Sequence, residues 1–148
     1  MNEPPDTVHA TAVAIGGHGI LIRGAAGSGK SSLALRLMEH PVMPAALVAD
    51  DRVVLAPADG RLKASPPGPL EGLIEVRGVG VIAVPFVPEA AIVLIVELLP
   101  EEACVRLPDE AERTTDLLGV AMARLTVPID DPAGDVRVHA ALRNWIGG

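Results

Sequence analysis

The run Gly24-Ala25-Ala26-Gly27-Ser28-Gly29-Lys30-Ser31 narrows this chain more than any other feature. It fits the pattern G-x-x-x-x-G-K-[ST] at every position, and such a run works only between a strand and a helix. Small residues let successive backbone N–H groups turn inward on a phosphate chain, while the helix that follows points its positive end at them. Lys30 is then expected to bridge the β- and γ-phosphates, and the Ser31 hydroxyl to sit on Mg²⁺.

The surrounding sequence supplies the required context. Residues 18–23, HGILIR, read as a strand, and residues 31–39 place Leu33, Leu37 and Met38 at helical spacing before Pro41 ends the helix. Residues 7–15 alternate small and β-branched side chains and lead through Gly16-Gly17, so a hairpin is expected ahead of the loop. Strands are expected at 45–49, 52–56 and around 61–64, and two short ones in LIEVRGVGVIAV at 73–84, broken at Gly78 and Gly80. Residues 90–96, AAIVLIV, read as a central strand, which Glu97 ends. Asp109 with Glu112 three residues on predicts a capped helix ending near Gly119, followed by a strand at 123–127. Val138, Ala141, Leu142, Trp145 and Ile146 share one helical face, so a last amphipathic helix is expected with His139 off the stripe and in solvent. His18 and His40 read as structural.

A length of 148 residues suits one compact domain, read here as 1–148, of α/β class with a phosphate loop and a mixed β-sheet. One Phe, one Trp and no Tyr leave the core to aliphatic side chains and offer little for stacking on bases. A net charge of −7, without a run of Lys or Arg, argues against a nucleic-acid partner. The single cysteine, Cys104, reads as a small buried thiol. No stretch is long and apolar enough to span a bilayer, and MNEPPDT carries no leader pattern, so no membrane role and a cytoplasmic protein are expected.

A triphosphate site needs an acidic partner for the metal or the attacking oxygen. Two candidates compete: Asp50-Asp51, after the apolar run AALVA, and Glu97, placed like a glutamate that activates water. The spacing favours Asp50-Asp51, because adjacent carboxylates can divide metal binding and base duty. Read alone, Glu75-x-Arg77 is the polar face of a strand, and His9 a half-exposed strand histidine.

Taken together, His9, the phosphate loop at 24–31, LVADD at 47–51 and EVRGVGVIAV at 75–84 come in the order seen in the HPr kinase/phosphorylase family. The chain resembles the catalytic domain of that family over roughly residues 7–128, and the Glu-x-Arg-Gly-x-Gly signature is more specific than the phosphate loop. The resemblance implies a core similar to phosphoenolpyruvate carboxykinase. It also implies ATP- and Mg²⁺-dependent phosphorylation of a serine on HPr, the phosphocarrier of the sugar phosphotransferase system. Reversal by inorganic phosphate, with release of pyrophosphate, and assembly into a homo-oligomer go with it. Carried over by residue, Asp50 matches the general base, Asp51 assists at the metal with Ser31, and His9 lies near the phosphates. Glu75 and Arg77 match the signature's charged pair, which orients metal-side carboxylates and phosphate oxygens.

Two departures stand out. Ser32 occupies a position that is acidic in that family, and Ile129-Asp130-Asp131-Pro132-Ala133-Gly134-Asp135 stands where a basic Pro-Gly-Arg stretch is usual. Phosphate recognition favours Arg, so this reversed sign bears on the phosphorylase direction or the partner. The alternatives are a small-molecule phosphate-loop kinase and a nucleotide-binding regulatory protein without catalysis.

Overall fold

A computed structural model describes residues 6–146. Most of the stretch read as free of a leader pattern lies outside them. The elements are β1 (Asp6–Val8), β2 (Thr11–Ile15), β3 (His18–Gly24), α1 (Lys30–Met38), β4 (Ala46–Ala49), β5 (Val53–Ala58), β6 (Arg61–Ser65), β7 (Leu73–Val76), β8 (Gly80–Ala83), β9 (Ala90–Leu99), β10 (Thr114–Leu117), β11 (Val120–Pro128) and α2 (Gly134–Ala141), which runs into a π-turn at Leu142–Ile146.

The expected hairpin is formed by β2 and β3, with Ile15 opposite His18 across Gly16-Gly17. The segment before it is not one strand: β1 separates and pairs with β5, Thr7 facing Val54. The apolar run 90–96 does form the centre, since β9 pairs in parallel with β3 and β11 and, through its first residues, antiparallel with β6. Taking different neighbours along its length makes β9 the point where the nine-stranded mixed sheet branches and curls.

Period-two alternation sorts the sheet's side chains onto two faces. Val13, Ile22, Leu94 and Val96 pack with Leu33 and Leu37 of α1 and Val138 of α2. Ala12, Leu21 and Ile95 pack on the other face with Leu55 and Leu62 of the curled strands. Both faces are aliphatic, as the composition requires.

The helix expected over 109–119 is absent. Asp109 and Glu112 make the reciprocal capping bonds, Glu112 N–H to Asp109 Oδ1 at 2.8 Å and Asp109 N–H to Glu112 Oε1 at 3.0 Å. They close a turn instead, because Thr114-Thr115 is drawn into β10 and paired with β11. The two-residue turn Leu118-Gly119 has both φ values positive, at 52° and 83°, which is the hairpin geometry matched to strand twist.

His139 is also not in solvent. It is 6% exposed, and its ring lies 4.1 Å from that of His40, centroid to centroid. His40 in turn accepts the Val42 and Met43 N–H groups at Nδ1 and so closes the turn after α1. Burial, with the neighbouring His40, pushes His139 below the ordinary histidine range. Cys104 is half-buried, its thiol directed at the carbonyls of Leu99 and Pro100, and desolvation raises its pKa.

One close approach fixes the centre of the sheet. A Cβ on Gly19 would meet the backbone oxygen of Ala91 at 2.5 Å, where β3 and β9 shift register. Gly19→Ala is therefore expected to destabilise the fold by about 1–3 kcal/mol through overpacking against backbone that cannot move aside. Chemical unfolding of the two proteins side by side measures it.

Candidate active site

Strands β3, β4, β9 and β11 run in one direction, so their C-terminal ends gather at one edge of the sheet, where β2 begins. Ligands in open α/β sheets bind outside such ends. In the order β11, β9, β3, β2, β4, the phosphate loop leaves the middle strand, Asp50-Asp51 follows β4 on one flank, and Asp130 follows β11 on the other.

The loop has the shape its sequence demands. Gly27 and Gly29 have φ of 79° and 98°, which L side chains rarely adopt, and Gly29 directly precedes α1. A Cβ on Gly24 would meet Ser28 Oγ at 2.4 Å, so the first glycine is needed for packing rather than for a turn. Lys30 is buried and folds back on its own loop, donating to the carbonyls of Gly24 at 2.9 Å and Ala25 at 3.2 Å. These are weak acceptors that a phosphate oxygen would replace.

The two aspartates differ sharply. Asp50 Oδ1 accepts from Ser31 Oγ at 2.6 Å and from Thr11 Oγ1 at 3.0 Å, while Oδ2 accepts the Glu75 N–H at 3.1 Å. Both oxygens are thus engaged by the loop, β2 and β7. Asp51, in the left-handed region at φ 66°, faces an open cleft, and among the described residues its carboxylate pairs only with His9, Nε2 to Oδ1 at 2.7 Å. Asp50, expected as the general base, is thus the more engaged of the two, and Asp51, expected to assist at the metal, is the more open.

This cleft, of about 400 Å³, is lined by His9, Lys30, Ser31, Asp51, Glu75 and Arg77, with Asp130 at its far side. Every residue expected at the site from the sequence thus lies in it or beside it. Glu75 and Arg77 arrive on the β7–β8 hairpin, a small sheet of its own. That hairpin is held by buried Ile74 and by Phe86, whose ring lies where a Cβ on Gly72 would be. Gly78 and Gly80 have φ of 84° and 115° and open space around them, so conformation and not crowding calls for glycine.

Glu97 is not at this site. With Ile95 it belongs to the sheet face opposite α1, where it bridges Arg23 at 2.7 Å and Arg124. Sequence reasoning did not pick out Thr11, buried at 0% exposure and bonded to Asp50. The signal was its place two residues after His9, on the same face of an extended segment.

The acidic loop after β11 is pinned rather than loose. Asp131 accepts the Ala133 N–H at 2.9 Å and pairs with Arg137, and its backbone oxygen accepts Arg36 Nη1 at 2.9 Å. Its own backbone bond, aided by Arg137, holds the Asp131 carboxyl below the usual range.

The donor set of the cleft is a hydroxyl and carboxylates, hard oxygens suited to Mg²⁺. Among the described residues no three His, Cys, Asp or Glu side chains converge as a ready-made cage. That fits an ion taking its remaining ligands from phosphates and water. No helix among the described residues is long and apolar enough to cross a membrane.

The family described as HPr Serine kinase C-terminal domain matches residues 3–145. The HPr kinase/phosphorylase of Clostridium tetani is 35% identical over 155 residues, covering 96% of this chain and 49% of that protein. The HPr kinase/phosphorylase of Burkholderia lata is 36% identical over 160 residues, covering 97% of this chain and 47% of that one. The chain thus spans about half the length of these curated relatives. A solved structure, the Hpr(Ser) kinase/phosphatase from Coxiella burnetii, superposes with a TM-score of 0.80 at 28% identity, covering 95% of this chain and 90% of that one.

The pinned loop has a pH signature. A carboxyl held low in the folded protein contributes stability that is complete above the ordinary carboxylate range and is lost as pH falls through the depressed value. The stability gap between the wild type and Asp131→Asn is expected to be widest near neutral pH and to narrow below about pH 4. Unfolding free energies measured across that range test it, and a gap independent of pH would contradict it.

Proposed function

We propose, since the chain belongs to the HPr Serine kinase C-terminal domain family, that it transfers the γ-phosphoryl group of ATP, with Mg²⁺, to a seryl hydroxyl of an HPr-like phosphocarrier protein. The observation that carries this reading is the unequal engagement of the two aspartates. Asp50 is held by Ser31, Thr11 and the Glu75 N–H, whereas the Asp51 carboxylate is open to the cleft and, among the described residues, bonded to His9 alone.

In this reading Lys30 exchanges its loop carbonyls for phosphate oxygens, and the backbone N–H groups of 26–31 cradle the chain. Ser31, oriented by Asp50, with Glu75 nearby, is placed to hold Mg²⁺, which supplies charge neutralisation at the β- and γ-oxygens when bound. Asp51 takes the proton of the seryl hydroxyl as that oxygen bonds to the γ-phosphorus and the bond to the β-phosphate oxygen breaks. His9 fixes the Asp51 carboxylate, and Arg77 is free to meet the transferring group. In reverse, Asp51 returns the proton to the serine while inorganic phosphate takes the phosphoryl group as pyrophosphate.

A protein acceptor suits the shape of the site better than an enclosed small molecule does. The cleft is open, and the hairpin that carries Glu75 and Arg77 exposes Val79 at 72% and Val81 at 67%. Apolar side chains presented beside a polar cleft are what a docked protein surface covers. A cytoplasmic location and self-association go with this reading.

The test is transfer from labelled ATP to a purified HPr-type carrier. Asp51→Asn is expected to cut the rate by about 10²- to 10⁴-fold, the usual span for a lost general base, while nucleotide affinity holds. Asp50→Asn should instead weaken magnesium-nucleotide binding. A carrier that stays unlabelled while ATP binds normally would defeat the reading.

A further inference from the structure

In-line transfer sets a direction across the site. The acceptor attacks from the side of its base, and the leaving group departs from the opposite side. Asp51 lies on the β4 flank of the phosphate loop, so the remainder of the donor must extend toward the β11 flank. That flank holds a second cavity of about 200 Å³. Its walls are Arg36 of α1, Leu98 at the end of β9, and Val127 and Pro128 of β11. It shares Gly29, Ser32 and Asp130 with the main cleft, so the two are neighbours across Asp130.

We infer that this second cavity is the nucleoside subsite of the donor, with the Asp130 carboxylate accepting hydrogen bonds from the ribose hydroxyls. The inference rests on the phosphate-loop reading above and deepens it.

The chemistry of the walls supports it. Leu98, Val127 and Pro128 present an apolar surface to a base, and a guanidinium such as Arg36 is planar and suited to stacking on one. Arg36 is held in place by its bond to the Asp131 carbonyl at 2.9 Å. Asp130 stands where the two cavities meet, between a phosphate chain and a base, which is the place of the sugar. An ionised carboxylate only accepts, and ribose hydroxyls are the donors within that segment.

The backbone is arranged for the purpose. Asp130 has φ 64°, a conformation few residues other than Gly, Asn and Asp take readily. The neighbouring Asp131 turns inward to Ala133 and Arg137, leaving Asp130 exposed and without a side-chain partner among the described residues. This gives a use to the acidic loop that stands in place of a basic stretch. A negative charge is poorly placed to grip phosphate and well placed to hold a sugar.

Calorimetric binding of MgATP and of magnesium tripolyphosphate separates nucleoside from phosphate recognition. Asp130→Gly and Asp130→Asn both tolerate the left-handed backbone, so the loop keeps its course. Asp130→Gly is expected to weaken MgATP binding about ten-fold, the scale of a lost hydrogen bond to a charged group, and either variant to leave tripolyphosphate binding unchanged. The wild type should bind 2′,3′-dideoxy-ATP about as weakly as Asp130→Gly binds ATP, and Asp130→Gly should not distinguish the two nucleotides, whereas Asp130→Asn, whose amide oxygen still accepts, keeps part of the difference. An unchanged ratio of ATP to tripolyphosphate affinity in Asp130→Gly, or an Asp130→Gly still sensitive to the missing hydroxyls, would overturn the inference. If the wild type bound neither ligand, the phosphate-loop reading would fall with it.

Discussion

The Asp50 carboxylate is the junction on which the site depends. It receives a hydroxyl from the start of α1, a hydroxyl from β2 and a backbone N–H from β7. Hydrogen bonds to a charged group contribute roughly 1.5–3 kcal/mol each, more than neutral ones. Three of them on one carboxylate fix the relative positions of the phosphate loop, the β2–β3 hairpin and the signature hairpin. The last of these has no strand pairing to the large sheet, so the Glu75 bond and the buried Ile74 side chain set where Glu75 and Arg77 stand. Three bonds occupy most of the roughly four acceptor sites a carboxylate offers, which is the ground for the proposal that Asp51 rather than Asp50 takes the proton. The neighbouring Asp51 is itself in the left-handed region and meets His9 across the cleft.

Much of this was legible in the sequence because it is local. The phosphate loop is contiguous, and its glycines are required locally, Gly27 and Gly29 by positive φ and Gly24 by contact with Ser28. The β2–β3 hairpin, the split of 73–84 at its glycines and the central place of 90–96 follow from turn residues and hydrophobic runs. The different surroundings of Asp50 and Asp51 were not legible. Asp51 takes a left-handed backbone just past β4, and which of the two carboxylates meets Ser31 depends on how β4 pairs with β2. Thr11 was missed for the same reason: its partner is 39 residues away.

The errors elsewhere have the same physical origin. Asp109 and Glu112 form the bonds that cap a helix, but the bonds only close a turn, and the β-branched pair that follows finds a waiting edge on β11. His139 is polar and off the expected stripe, yet the loop after α1 brings His40 against it and buries both faces of the contact. Glu97, the alternative that the spacing disfavoured, was expected to end its strand, but β9 runs on to Leu99 and Arg23 on β3 and Arg124 on β11 claim the side chain from either side. In each case tertiary neighbours override a correct local signal.

The charge of the loop after β11 follows from the same edge geometry. Asp131, Arg137 and the Arg36 bond to the Asp131 carbonyl tie the end of β11 to both helices. A loop so anchored cannot swing an oppositely charged side chain over the phosphate loop without breaking those ties. Its two adjacent acidic side chains part company: Asp131 turns inward to Ala133 and Arg137, and Asp130 outward into the cleft. The order of strands at the edge thus gives the site a polarity, with Asp50-Asp51 on the β4 side, the phosphate loop at the centre and Asp130 on the β11 side; the proposed proton transfer and nucleoside subsite follow that order. A mixed sheet with four parallel ends sets that polarity, because each of these loops leaves the end of a paired strand.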